Sequence, residues 1–405
     1  MIGRRRFWRR KRRNAKLAAM TRTKHRRGVR AYLAPLLVLA AVAGAGFAYL
    51  GFSPEPGLTV ASSADGGSSA NPRAATTPVE RTAALPPLKL PADDAAHGSG
   101  MEWWYYSGIL TAQGGGRYAF HVAVFVANAL VKHTVMHAAL TDLQSGKRYT
   151  RQSRTGGLPA RATANGFDFR QDGWQVAGSG PVHSVQMPFD GALLALELRD
   201  AGEVVAHRAA GSQTPGLLDF GESGISYYYS RPRMAAQGQL RIGGDKPALA
   251  LEGPVWFDHQ WGDFDVTRLG WNWFALHLSD GSDVMVYELF DQNGRSVTTT
   301  GTLRTAAAGS RPLAPGEVAL TPLRRWTSPK TQVGYVLDWT LKLPGGELQV
   351  QPFFDNSEFD ATTSSANIYW EGPVKASGTN MQGEGFMELS GYEHLRSTTP
   401  APAAK

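Results

Sequence analysis

The 405-residue chain is predicted to be all-β, with two barrel-like domains in tandem behind an N-terminal membrane helix and a flexible linker. Three observations carry this. From His97 onward, short runs of alternating apolar and polar residues, bounded by Gly, Asp-Gly or Asn-Gly, recur at intervals of about eight to twelve residues, the spacing of strands in a barrel or sandwich. No window longer than about twelve residues there carries an apolar stripe at helical spacing. The pattern also runs through twice, as duplicated domains do.

The elements follow in order. Residues 1–30 hold fourteen Arg or Lys and no Asp or Glu, so the net charge of +8 leaves 8 − 14 = −6 for residues 31–405. The basic character belongs to a tail. Such a run alone suits nucleic acid or an anionic membrane, and the next segment decides for the membrane. Ala31 to Phe52 are twenty-two residues without a charge, enough to cross a hydrocarbon core of about 30 Å. Basic residues stay cytoplasmic, so everything after Phe52 is expected on the outer face of the inner (cytoplasmic) membrane, with the following domains extracytoplasmic, and periplasmic if the source is Gram-negative. Cleaved export is the alternative: Arg4-Arg5-Arg6-Phe7-Trp8-Arg9 resembles a twin-arginine signal, Met20 offers a second start, and cleavage after Ala45 or Ala48 would release the domains.

Residues 53–95 include twenty-eight Ala, Pro, Ser, Gly or Thr among forty-three and no aromatic, the composition of a flexible tether. The strands are then expected at Glu102–Leu110, Tyr118–Val126, His133–Leu140, Leu193–Leu198, Trp273–Leu278, Val284–Phe290, Val333–Leu343 and Glu347–Phe353. Glu102-Trp103-Trp104 opens a strand that turns through Gly114-Gly115-Gly116, and Asn272-Trp273-Phe274 opens one that turns through Asp280-Gly281. Tyr227-Tyr228-Tyr229-Ser230-Arg231-Pro232 is similarly matched by Ile368-Tyr369-Trp370-Glu371-Gly372-Pro373. This pairing divides the chain into domains at 96–252 and 253–396, with a disordered tail at 397–405. An apolar content of 42% with 10% aromatic residues excludes a wholly disordered chain, and the absence of cysteine excludes disulfide scaffolds, Fe–S sites and thiol nucleophiles.

Four of eleven tryptophans fall within Trp256–Trp273, around Trp256-Phe257-Asp258-His259-Gln260-Trp261-Gly262. On a strand Asp258 and Gln260 share one face, and Phe257, His259 and Trp261 the other. His259 is then either a site residue or a core histidine satisfied by a carbonyl. Glu102, amid Trp103, Trp104, Tyr105 and Tyr106, is a proton donor if it points inward, where desolvation raises its pKa, and a surface carboxylate or structural hydrogen-bond acceptor if not. Tyr287 and Glu288 fall on opposite faces of their strand, and either could reach a cavity. His133 and His137 lie on a strand, about 13 Å apart at about 3.3 Å per residue, too far to share a metal ion. Gly-x-Ser-x-Gly, a phosphate loop and a dinucleotide fingerprint are absent, against those hydrolase and nucleotide classes.

His97-Gly98-Ser99-Gly100-Met101-Glu102-Trp103-Trp104-Tyr105-Tyr106, then Trp256-Phe257-Asp258-His259-Gln260-Trp261-Gly262, Trp271-Asn272-Trp273-Phe274 and Tyr369-Trp370-Glu371-Gly372 resemble the AttH and carotenoid 1,2-hydratase (CrtC) family. The resemblance spans most of residues 97–394 and implies two lipocalin-like β-barrels in tandem. It implies either of two activities. Carotenoid hydratases add water to a terminal isoprenoid double bond by acid catalysis without a cofactor, and fungal relatives include a phytoalexin hydratase and Diels–Alder cyclases. AttH-like bacterial members are exported or anchored proteins, often linked to transport systems. The Trp-Phe-Asp-His-Gln-Trp-Gly form sits closer to this second group. By position, His259 and Trp261 match the family's His-x-Trp, and Tyr287 falls near the hydratases' Tyr beside an acid, here Glu288.

Protonating an alkene creates a tertiary carbocation, which needs an acid, a dry aromatic wall and an ordered water. Asp258, Glu288 or Glu102 is the expected acid. Trp103, Trp104, Trp261, Trp271 and Trp273 are the expected wall, with His259 or Tyr287 holding the water, and neither cofactor nor metal is implied. The expected ligand is an apolar, isoprenoid or lipid-like small molecule, and no nucleic-acid partner is expected. The rival expectation is a non-catalytic carrier of such a ligand, accessory to an ABC transporter. A third, structural β protein, applies if the aromatics fill the barrels solidly.

Overall fold

A computed structural model describes residues 85–395 except 129–130, 162, 164, 245 and 265–268. The expected basic tail, membrane helix, most of the linker and the C-terminal tail lie outside the described residues. Among the described residues no helix is long and apolar enough to cross a membrane.

The chain is all-β. A first sheet comprises β1 (Met101–Ala112), β2 (Arg117–Asn128), β3 (Lys132–Asp142), β4 (Arg148–Gly156), β5 (Phe167–Gln171), β6 (Trp174–Ser179), β7 (Val182–Phe189), β8 (Ala192–Asp200), β9 (Val205–Ala206), β10 (Leu217–Asp219), β11 (Gly224–Ile242) and β12 (Leu249–Phe264). A second holds β13 (Leu269–Leu278), β14 (Asp283–Asp291), β15 (Ser296–Thr305), β16 (Gly309–Pro312) and β17 (Ala319–Pro322). The small pair β18 (Arg325–Thr327) and β19 (Gly334–Val336) stands apart. The second sheet is completed by β20 (Trp339–Leu343), β21 (Gly346–Pro352), β22 (Glu358–Asp360), β23 (Ile368–Ser377) and β24 (Gln382–Ser390).

The duplication is visible in the strand orders. The first runs β4-β3-β2-β1-β12-β11-β8-β7-β6-β5 and the second β16-β15-β14-β13-β24-β23-β21-β20-β17, so β1 corresponds to β13, β12 to β24 and β11 to β23. Both sheets curl in the lipocalin-like manner but remain half-barrels, since the end strands of each order do not pair with one another. Tight turns drive the hairpins: Gly114 and Gly115 follow β1 with φ of 99° and 96°, and Gly281 follows Asp280 with φ of 85°, backbone that a side chain disfavours.

The expected join at 252/253 falls inside β12, which pairs with β1 and β11 along its length, so the first sheet extends to Phe264. The expected linker also ends early. Leu88 and Leu90 pack on the first core, the Tyr227 hydroxyl donates to the Pro86 carbonyl at 2.8 Å, and Asp94 is buried. Composition could not reveal this, because a short strap is held by what it lies against rather than by its own apolar content.

Each sheet folds one face over its own core. In the first, Trp104, Tyr106, Phe120, Phe169, Trp174 and Phe257 are buried together; in the second, Phe274, Trp339, Leu341, Trp370 and Met387. The opposite faces of β1, β2, β11, β12, β13, β14 and β24 meet in a third cluster containing Tyr105, Tyr228, Trp256, Trp273, Met285, Tyr287 and Phe386. Strands apolar on both faces result, because both are buried.

Candidate functional site

A cavity of about 540 Å³ lies where the two sheets meet. Period-two alternation and register build its walls. On β1 Trp103 stands opposite Gln260 and Tyr105 opposite Asp258, and Phe125 is opposite Trp103 on β2. On the other wall Trp273 stands between Tyr287 and Glu388, and Glu388 is opposite Glu371. Trp271, Tyr228, His137 and Tyr369 also line the space.

Four carboxyl groups line this largely aromatic chamber, Asp258, Glu371, Glu388 and Glu393, and burial raises the pKa of the first three. Asp258 accepts hydrogen bonds from Trp256 Nε1 at 2.6 Å, from the Tyr228 hydroxyl at 2.8 Å, and from the Ser230 hydroxyl. Burial pushes its pKa up to about 7 against the pull of those three donors. Tyr228 in turn accepts from Trp273 Nε1 at 3.2 Å, joining the two sheets beside the cavity that both residues line. Glu371 and Glu388 are a cross-strand pair of like groups. Burial raises both: Glu388 to about 7, with the charge of Asp258 adding and the Trp271 N–H opposing, and Glu371 well above the carboxylate range, with Glu388 adding and Tyr105 and Arg148 opposing. Two carboxylates this close and this dry cannot both ionise cheaply, so the pair retains a proton near neutrality. His121 Nδ1 stands 3.3 Å from Glu371 Oε1, off the line of a hydrogen bond, and burial holds the His121 pKa well below its usual value. His137 contacts the Tyr369 hydroxyl at 3.0 Å and Ser364 Oγ at 2.9 Å; burial lowers its pKa to about 3, so it is neutral.

The expected site residues divide between faces. Asp258, Trp103, Trp271, Trp273 and Tyr287 line the cavity. Glu102, His259, Trp104 and Trp261 turn the other way, into the first sheet's interior, where Trp104 and Trp261 belong to the packed core. Glu102 does point inward, but not as an acid. Burial alone would raise its pKa, yet hydrogen bonds and charge from His259 and His97 hold it below the ordinary value. His259 lies 2.8 Å from Glu102 Oε1, and burial keeps its imidazole below its usual pKa although Glu102 opposes this. Glu288 accepts from Asn272 Nδ2 at 2.9 Å, beneath Tyr392, on the face of β14 opposite Tyr287. Sequence reasoning missed Glu371 and Glu388. Glu371 was within reach, since it alternates with Tyr369 in an aromatic run matched to β11; Glu388 carries no local signal.

A family model described as AttH-like matches residues 81–392. The chain belongs to the AttH-like family. Among solved structures, a putative AttH from Nitrosomonas europaea is similar over 76% of this chain and 98% of its own, with a TM-score of 0.67 and 26% identity. The kievitone hydratase of Nectria haematococca shares the fold over 76% of this chain and 94% of its own, at a TM-score of 0.61 and 21% identity. In sequence, the kievitone hydratase of Fusarium solani subsp. phaseoli is 30% identical over 199 residues, 44% of this chain and 53% of that protein. The chain thus spans about half the length of the curated relative it matches.

Proposed function

We propose that the cavity between the sheets binds an apolar molecule carrying a carbon–carbon double bond and hydrates it by acid catalysis. The observation that carries this is the Glu371–Glu388 pair, two carboxyl groups set opposite each other on neighbouring strands and lining a largely aromatic chamber, where burial favours their protonated forms. The carboxylic proton passes to one alkene carbon as the π electrons form the new C–H bond. The cation left on the other carbon is faced by Trp271, Trp273 and Tyr287, each ring worth up to about 2 kcal/mol when desolvated. Water adds its oxygen to that carbon, and the proton it sheds returns to the pair, so alkene and water give an alcohol. Asp258, held by three donors on the facing wall, positions the water together with Tyr228. The hydratase names of two relatives support this reading.

The test is to incubate the purified protein with a native apolar lipid extract and with a prenylated aromatic, and follow the bound material by mass spectrometry. Gain of one water, lost in Glu388→Gln, is the expected result. Recovery of the ligand unchanged favours a carrier, which needs the aromatic cavity but not the acid, and which a neighbouring ABC transporter would serve. We also infer that residues 31–52 anchor the chain with its β domains outside the cytoplasmic membrane. The uncharged run behind a basic tail supports it, and protease accessibility in spheroplasts tests it.

A further inference from the structure

We propose that His97, Glu102 and His259 form a binding site for one divalent transition-metal ion, separate from the cavity and on the opposite face of β1 and β12. His97 Nδ1 and His259 Nε2 each lie 2.8 Å from Glu102 Oε1, and one ligand atom from each of the three residues falls within 4.8 Å of the others. Two donors bound to one ion at about 2.0–2.1 Å stand about 2.9–3.4 Å apart at octahedral to tetrahedral angles, so both Glu102–histidine spacings lie within a few tenths of an ångström of a coordination sphere, and an ion would draw the two imidazoles toward each other.

Proton placement supplies the second argument. The Tyr229 hydroxyl gives its one proton to Asp94, so toward His259 Nδ1, 3.4 Å away, it can only accept. That fixes the hydrogen of a neutral His259 on Nδ1 and leaves the lone pair of Nε2 aimed at a carboxylate oxygen. His97 presents its Nδ1 to the same Glu102 oxygen, and its Nε2 lies toward Asp93 Oδ1 at 3.8 Å, beyond hydrogen-bond reach, so its ring is free to take the tautomer that leaves a lone pair on Nδ1. The other Glu102 oxygen, Oε2, accepts the His97 backbone N–H at 2.8 Å, which orients the carboxylate. Glu102 Oε1 and His259 Nε2, with His97 Nδ1 in its Nε2–H tautomer, thus present three electron-pair donors to one point, which a metal ion can occupy in place of a shared proton. An outer shell of Tyr229 and Asp94 behind His259 is what metal-bound imidazoles ordinarily have. Glu102 and His259 are buried, whereas His97 is a quarter exposed and stacks on Trp261 at 4.1 Å, giving an ion a route in.

The expectation that no metal binds rested on His133 and His137, neither of which takes part. This site draws on a strap, a strand and a second strand 157 residues further on. It would clamp residues 85–97 to the first sheet.

The full chain, stripped with a chelator, is titrated with Zn2+, Co2+ and Mn2+ by calorimetry, and bound metal is counted. The expected result is one saturable equivalent of Zn2+ or Co2+, a visible Co2+ absorption band typical of imidazole ligation, and a rise in Tm with Zn2+. His97→Ala, whose partly exposed side chain can be removed without opening the core, should weaken binding at least 10-fold and abolish the Tm rise. Glu102→Gln should weaken it further. No saturable uptake by the unmodified chain, or uptake unchanged in folded His97→Ala, overturns the proposal and leaves protons as the cations at this point.

Discussion

Replacing Glu388 by Gln keeps the side chain's shape while removing its ionisation. In the folded chain burial raises the Glu388 pKa from 4.5 to about 7. An acid raised in this way binds its proton more tightly folded than unfolded, so stability is lost as pH climbs from the unfolded value to the folded one and is level above it. At 1.36 kcal/mol per unit, the loss between pH 4.5 and 7 is about 3 kcal/mol. Glu388→Gln lacks that slope. Relative to the parent it should be near neutral at pH 4.5 and more stable by up to about 3 kcal/mol at pH 8, or about 5 °C in Tm at roughly 2.1 cal/mol/K per residue over about 300 residues. The groups acting on Glu388 are Asp258 and the Trp271 N–H, with Glu371 opposite it on β23 and Arg148 and Tyr105 around Glu371. Losing Glu388 relieves Glu371 and adds to the effect at high pH. Urea unfolding of both proteins from pH 4.5 to 8 measures it. A stability difference that does not grow with pH would mean that Glu388 is solvated and ionised, and the acid reading would go with it.

Glu388→Gln or Glu371→Gln should lower hydration turnover by at least about 100-fold, while Glu288→Gln, on the opposite face of its strand, should leave it within a few-fold in the same mass assay. Trp104→Ala, deep in the first core, should cost about 3–5 kcal/mol in urea unfolding while leaving the cavity's lining intact. Gly385→Ala would set a methyl 1.9 Å from the Ala275 carbonyl, forcing β13 and β24 apart; a loss of about 1–3 kcal/mol and a lower yield of folded protein are expected. Because Trp103, Trp271 and Trp273 line the cavity, a bound polyene should quench part of the intrinsic fluorescence, and Trp273→Phe should reduce that quenching.

The strands were legible because each carries its own period, and the repeat was legible because the two halves keep similar aromatic openings on β1 and β13 and on β11 and β23. The join was not: β12 continues through Gly253-Pro254, a turn signal in sequence, because β11 pairs with both residues and β1 pairs with the strand on either side of them. Alternation also separated Asp258 from His259 correctly, and Tyr287 from Glu288. What it could not say was which face meets a cavity. The faces of β12 look equally apolar and aromatic when both are buried, so Asp258 and His259 were expected at one site although the geometry puts Asp258 in the cavity and His259 in the first sheet's interior.

By itself, then, the sequence determined an all-β chain built of two like halves, with aromatic strands and acids embedded among them, since these properties reside in nearest neighbours and short periods. Only the tertiary structure decided that the chamber lies between the sheets, that Glu371 meets Glu388 across a strand pair, and that His97 and Glu102 meet His259. Those groups are brought together by strand register and by the packing of one sheet on another, and the dryness that retains a proton on a carboxyl is a property of the enclosure that no residue carries alone.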